Sequence, residues 1–245
     1  MSESTFKTPS SKVEKLLTTG SIVLKKPSLK FFLLLPAAIF FALLFIGGPS
    51  YFSARSIQYF WDIGHVASFA LWTYLVLLFF PKLQKLSFLA LSISLLTGAT
   101  LLGGLTEFAQ HWFDGRTPSY SDLLKDILGC ALALVFSPQS KKLVPPPAKT
   151  GLRCAVLIIL FWQLWPFTKA IIDERSAASK FPIIADFETP FEIGRWSWPD
   201  KNSAEIVNDD AFTSRHSLKV TLTPMQYSGV SLEYFPANWQ GYNFF

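Results

Sequence analysis

The chain has 245 residues, half of them hydrophobic, with 24 Phe, 8 Trp and only 16% charged side chains. A single soluble domain of this length needs more charge to cover its surface, and the positive mean hydropathy and long apolar runs point to a membrane protein. This argues against an ordinary cytosolic enzyme, a disordered chain and a disulfide-stapled secreted module; the formal charge of +5 does not indicate nucleic acid, because the basic residues sit in short stretches between apolar runs.

In chain order, residues 1–30 are polar and Lys-rich (Lys7, Lys12, Lys15, Lys25, Lys26, Lys30) and read as a cytoplasmic tail. An apolar stretch without a small-residue cleavage site follows, so 31–48 reads as a retained membrane span, kinked at Pro36. Further spans are predicted at about 60–80, 86–106, 121–136 and 152–168, each compared with ~30 Å of hydrocarbon at ~1.5 Å per residue. Between the last two, 138–151 reads as a cytoplasmic loop stiffened by Pro145–Pro147, and 169–180 as a juxtamembrane spacer. Lys82, Lys85, Lys141, Lys142, Lys149 and Arg153 would join the basic tail on one side, against Arg55 and Arg116 on the other. The positive-inside rule then puts the N-terminus in the cytoplasm and the C-terminus outside. Cys130 and Cys154 lie in apolar segments and read as small hydrophobes, with neither a disulfide nor a metal expected.

From Phe181 the pattern becomes β-like. Leu218, Val220 and Leu222 alternate with Lys219 and Thr221, and Val230, Leu232 and Tyr234 repeat the period after Pro224 and Gly229. The expected fold is therefore an α-helical multi-pass membrane bundle of about five spans, followed by a partial all-β, sandwich-like extracytoplasmic domain at 181–245.

Polar groups inside spans are costly, so their positions carry information. Asp62 and His65 lie near the outer end of the second span, Glu107, Gln110 and His111 near the outer end of the third, and Asp122 and Asp126 near the start of the fourth. Three helices thus bring polar residues to one depth, with Arg116 in the connecting loop. Glu107, Gln110 and His111 share a helix face by their spacing of three and four. Asp122, Asp126, Gly129 and Ala133 form a second stripe whose small members admit a close helix neighbour. Such a cluster can position a polar headgroup, bind a cation or shuttle protons. The structural alternative is that Asp122 merely favours a helix start, with Ser119 or Ser121 assisting.

The run from Glu107 to Gly129, EFAQHWFDGRTPSYSDLLKDILG, resembles the VanZ-like family of bacterial multi-pass membrane proteins. The family's pattern of Glu, Gln, Arg, a small hydroxyl residue, Asp, Asn and Gly falls on Glu107, Gln110, Arg116, Ser119, Asp122, Asp126 and Gly129. An upstream His that begins an aromatic-rich run falls on His65. The likeness covers about residues 31–137. Asp126 stands where the family has Asn, and Trp61-Asp62 where it has Asp-Lys, which makes the cluster more acidic. The resemblance implies a bacterial inner or plasma membrane and, through the family's link to teicoplanin resistance, the cell envelope; it supplies no reaction and no cofactor.

Residues 184–245 resemble the opening of a jelly-roll carbohydrate-binding module, with Trp196, Trp198, Tyr227, Trp239 and Tyr242 as candidate sugar-stacking aromatics. The alternative is that each fills a sandwich core. A jelly roll needs about eight strands; residues 181–245 supply about half of them, and the reading frame is expected to continue past Phe245.

Three functions follow. In the first, an envelope protein binds a glycan or lipid-linked headgroup: Arg116 contacts an anionic group, while Glu107, Gln110, Asp122 and Asp126 hydrogen-bond hydroxyls or orient it. In the second, a membrane-embedded enzyme uses Glu107 or His65 as base and Asp122 or Asp126 as acid on a lipid-linked precursor. In the third, the spans only anchor a sugar-binding domain.

Overall fold

The computed structural model describes residues 29–45, 48–50, 53–112, 119–137, 145–199, 202–209, 211, 214–224, 228–236 and 238–241. Arg116, Tyr227, Tyr242 and nearly all of the Lys-rich tail lie outside the described residues.

The helices are α1 (Leu29–Phe32), α2 (Leu34–Phe45), α3 (Arg55–Phe79), α4 (Phe88–Gln110), α5 (Tyr120–Phe136) and α6 (Pro146–Lys180). Among the described residues, α3, α4 and α6 are long and apolar enough to cross a membrane. The interruption between α1 and α2 falls at Leu33, one turn before Pro36. Proline has no N–H for the preceding turn and its ring crowds that turn's carbonyl, so the irregularity sits ahead of it.

The burial pattern is compatible with a bundle in lipid. On α4, Leu89, Ile93, Leu101, Leu105 and Phe108 form an exposed stripe, while Leu91, Ala99, Gly103, Thr106, Glu107 and Gln110 are buried. Most of the large apolar side chains face out, while Glu107 and Gln110 near the helix end face in. In water so long an exposed apolar stripe is a liability; in hydrocarbon it is the solvated face. The same holds for α6, where Ile158, Phe161 and Trp162 are exposed.

Inside, α3 runs against α2, α5 and α6, and α5 also contacts α4 and α6. The tightest approach is between α3 and α5. A Cβ at Gly129 would collide with the Val66 carbonyl oxygen and come within 2.9 Å of the Ala70 nitrogen. Only glycine lets the two backbones meet there. Around this contact lie two apolar clusters, one of Leu44, Phe69, Ala99 and Cys130, the other of Val66, Leu128, Val135 and Val156. Cys130 is a buried core residue and Cys154 is exposed; both are free thiols.

Helix α6 is the main departure from expectation. Residues 169–180, read from the sequence as a spacer, are the last turns of one 35-residue helix that also takes in 146–151 of the expected cytoplasmic loop. At ~1.5 Å per residue this helix measures roughly 52 Å, well beyond a ~30 Å hydrocarbon layer. The polar end is held by tertiary contacts. Asp173, buried, accepts from Arg55 Nη2 at 2.9 Å and from Arg195 Nε and Nη2 at 2.8 and 2.7 Å. Beside it, Glu174 accepts from the Ser56 backbone N at 2.7 Å and from the Ser56 hydroxyl at 2.5 Å. A spacer read from composition is thus ordered by carboxylates that α3 and Arg195 capture.

Beyond α6 there are four short strands: β1 (Trp196–Ser197), β2 (Ser203–Val207), β3 (Ser217–Thr221) and β4 (Ser231–Leu232). They form two separate antiparallel pairs, β1 with β4 and β2 with β3. The expected alternation appears in β3, where Leu218 faces Ile206 and Val220 faces Ala204. Val230–Tyr234 does not extend that sheet. Its Ser231–Leu232 pairs with Trp196–Ser197, and the Tyr234 hydroxyl donates to Gln58 Oε1 of α3 at 2.9 Å. Asn202 ties the loops together: its Oδ1 accepts from Thr223 N, Thr223 Oγ1 and Ser228 Oγ. Burial pushes the Glu192 carboxyl above its ordinary value. Burial opposes the Arg195 charge, but the Asp173 carboxylate more than offsets it, so this guanidinium is held firmly protonated.

Two substitutions test this packing. Gly129→Val should separate α3 from α5 and destabilise the purified protein by about 1–3 kcal/mol for an overpacked contact, read as a lower melting temperature. Asp173→Asn leaves two buried guanidinium groups short of their carboxylate and should cost about 3–5 kcal/mol. Limited proteolysis should then cut first after residue 180, where the strand region loses its tie.

Candidate functional site

The contact at Gly129 places the first turns of α5 against the middle of α3. His65 lies ten residues into α3, roughly 15 Å along the axis from Arg55. At that level Asp126 reaches across and its Oδ1 pairs with His65 Nδ1 at 2.9 Å. Asp126 is fully buried and His65 nearly so. Glycine again makes room: a Cβ at Gly103 of α4 would come within 2.6 Å of Asp126 Oδ2. That second oxygen is buried without a hydrogen-bond partner.

With Nδ1 engaged by Asp126, the opposite ring nitrogen of His65 faces the remaining carboxylates. Asp122 Oδ2 lies 3.9 Å from His65 Nε2. One donor atom each from His65, Glu107 and Asp122 fall within 4.8 Å of one another. Glu107 is buried, and its Oε2 accepts from the Ser119 backbone N at 2.7 Å, which anchors the start of α5 to α4. Its Oε1 is buried and unpaired. Ser119 is the residue before α5 and makes no side-chain cap, so the capping role proposed for it from the sequence is taken instead by Glu107.

A cation completes the set. Lys125 Nζ is 2.7 Å from Asp122 Oδ1 and 3.4 Å from Asp62 Oδ2, with its side chain 10% exposed. Lys125 is not among the candidate residues expected from the sequence. Its spacing of three from Asp122 was the available signal, because within a span an unpaired ammonium is too costly to leave without such a neighbour. A cavity of about 120 Å³ opens beside Lys125, lined also by Asp62, Ser121, Tyr59 and Gln163.

The structure therefore brings together His65, Glu107, Asp122 and Asp126 from three helices. Gln110 is turned away from them: its Nε2 donates to the Leu44 carbonyl at 2.7 Å and fastens α2 to α4. His111 is exposed at the end of α4. On the far side of His65 a mainly apolar groove of about 250 Å³ runs between α2 and α3, past Phe40, Leu44, Trp61 and Ser68.

The candidate sugar-stacking aromatics have a different setting. Trp196 is half-buried and packs against Phe187 with ring centres 5.8 Å apart. Trp239 meets Phe181 edge-on at 4.7 Å. Trp198 is half-buried in the segment after β1. Sequence reasoning also missed the pair Arg55 and Arg195 around Asp173, which borders a cavity of about 340 Å³ lined by Glu174, Glu233 and Tyr234 as well. No pattern within one segment could reveal it, since its members are 118 and 22 residues apart.

No protein-family model, curated protein or solved structure matches this chain.

Glu107 offers a direct test of what the site does for folding. Glu107→Gln keeps an acceptor for Ser119 N and should leave the melting temperature close to wild type. Glu107→Ala orphans that N–H and should cost about 1–3 kcal/mol. Equal losses in the two variants would mean that the negative charge itself is needed for folding.

Proposed function

We propose that this chain is a VanZ-like integral membrane protein of the bacterial cell envelope that binds a glycan or lipid-linked headgroup at its cluster of His65, Glu107, Asp122 and Asp126, with Arg116 as the contact to an anionic group. The observation that carries the reading is the burial of His65, Glu107 and Asp126 together inside an apolar bundle. Ionisable groups at that depth are expensive unless they serve a polar partner, and here Glu107 Oε1 and Asp126 Oδ2 are left unpaired. The apolar groove beside His65 suits the hydrocarbon part of an amphiphile lying next to that polar end.

In this reading α2 and α5 join α3, α4 and α6 as membrane spans, giving five with the N-terminus in the cytoplasm. α5 has 17 residues, roughly 25 Å of helix, enough to cross when its Asp122 end is held within the protein. The β region then faces outside and rests on the outer ends of α3 and α6 through Arg195 and Tyr234. Arg116, between α4 and α5 in sequence, is the group assigned to an anionic headgroup.

A second reading, a membrane-embedded enzyme acting on a lipid-linked precursor, is favoured by one feature. Asp126 holds His65 Nδ1, and Nε2 faces the other acids, the arrangement of an oriented general base. The third reading, an anchor displaying a sugar-binding domain, has the aromatics after residue 181 as its support.

Native mass spectrometry of the detergent-purified protein separates these. A discrete amphiphile adduct should appear in wild type, be lost in folded Glu107→Gln and Arg116→Ala, and persist in Trp196→Ala. An adduct indifferent to the first two changes would overturn the headgroup site. Glycan retention lost only in Trp196→Ala would favour the anchor instead. Turnover of the recovered amphiphile, abolished by His65→Gln, would establish the enzyme.

A further inference from the structure

The charge balance of the buried cluster is uneven. Glu107, Asp122 and Asp126 bring three carboxylates to His65, and among the described residues Lys125 is the one ammonium in contact with them. Lys125 takes Asp122 Oδ1, leaving Oδ2 turned toward His65 Nε2. Glu107 is 6% exposed, its Oε2 is fixed by a backbone N–H, and its Oε1 has no hydrogen-bond partner. One imidazole nitrogen and two carboxylates, buried and near one another, make a donor set that a positive ion would complete.

We propose that His65 Nε2, Glu107 and Asp122 bind a first-row divalent cation of the Mn²⁺–Zn²⁺ range, with Asp126 as the residue that positions His65. A mixed nitrogen and oxygen set suits these ions better than Ca²⁺, which takes six to eight oxygens. Donors at about 2.1 Å from a tetrahedral ion lie about 3.4 Å apart. The 3.9 Å between Asp122 Oδ2 and His65 Nε2 needs only a small side-chain adjustment to reach that. Asp126 supplies the carboxylate that metal-bound histidines ordinarily use behind the ring: it accepts a hydrogen bond from Nδ1–H, which leaves the Nε2 lone pair free for the ion. Three protein ligands leave at least one coordination position for water or for an anionic group of a bound molecule. Only that last step rests on the headgroup reading; the ion site stands on the side chains alone.

The test uses the full chain, purified with a tag free of histidine, stripped with chelator and reconstituted in nanodiscs. Mn²⁺ and Zn²⁺ are titrated by calorimetry, with metal content measured after desalting. Wild type should hold one ion per chain and melt higher when loaded. Asp126→Asn should weaken binding by about 10–100-fold, the usual effect of losing the group behind a metal-bound histidine. Glu107→Gln and Asp122→Asn should weaken it further while still folding. Because a His65 variant can fail to fold, Co²⁺ is also added to wild type, where visible bands of nitrogen–oxygen coordination are expected. No retained ion, an aquo-Co²⁺ spectrum, or equal binding in wild type and all variants would overturn the site. An amphiphile adduct that persists in protein unable to bind metal would refute the ion alone. Metal binding without any adduct would refute the headgroup alone.

Discussion

The arrangement of this bundle depends on a missing side chain. Gly129 lets the backbone of α5 touch that of α3 at Val66 and Ala70, closer than any residue with a Cβ permits. In a bilayer such close packing is the main attraction between helices, because lipid tails are as apolar as leucine and burying leucine brings little advantage. The same contact sets the register of the two helices and so places Asp126, one turn before Gly129, level with His65, one residue before Val66. Packing and chemistry are thus fixed by one glycine.

Polar interactions fall into two layers along α3. At its start, Arg55 joins Asp173 and Arg195, linking the helices to the strand region. Deeper, His65 joins Asp126, Asp122 and Glu107. In the upper layer Asp173 accepts three hydrogen bonds from the two guanidinium groups, which ties the helices to the strand region. The lower layer carries more acids than bases and leaves two carboxylate oxygens unpaired. The function proposed above is placed in this deeper cluster, since an incompletely satisfied carboxylate in an apolar interior is expensive to keep without a use.

The strand region has its own logic. It makes two small antiparallel pairs, each too small to be stable alone, and so relies on Arg195, Tyr234 and Asn202 for its order. Of its aromatics, Trp239 packs against Phe181 and Trp196 against Phe187. Recognition of an envelope molecule, as proposed, is accordingly assigned to the helices, with the strands as a cover over their polar end.

Much of this was determined by the sequence alone. The long apolar runs specify α3, α4 and α6, since hydrocarbon demands internally hydrogen-bonded backbone and apolar side chains. The period-two alternation specifies β3. Candidate residues His65, Glu107, Asp122 and Asp126 were legible because charges inside spans are rare. What only the tertiary structure decided is which of them meet. Gln110, on the same helical face as Glu107 by spacing, is drawn to the Leu44 carbonyl, because that acceptor happens to lie across from it. Lys125, bonded to Asp122 one turn away on its own helix, also reaches Asp62 on another. Residues 169–180 became helix because Asp173 found Arg55 and Arg195. Local pattern determines much of the secondary structure. Partners distant along the chain are chosen by packing, which no single segment encodes.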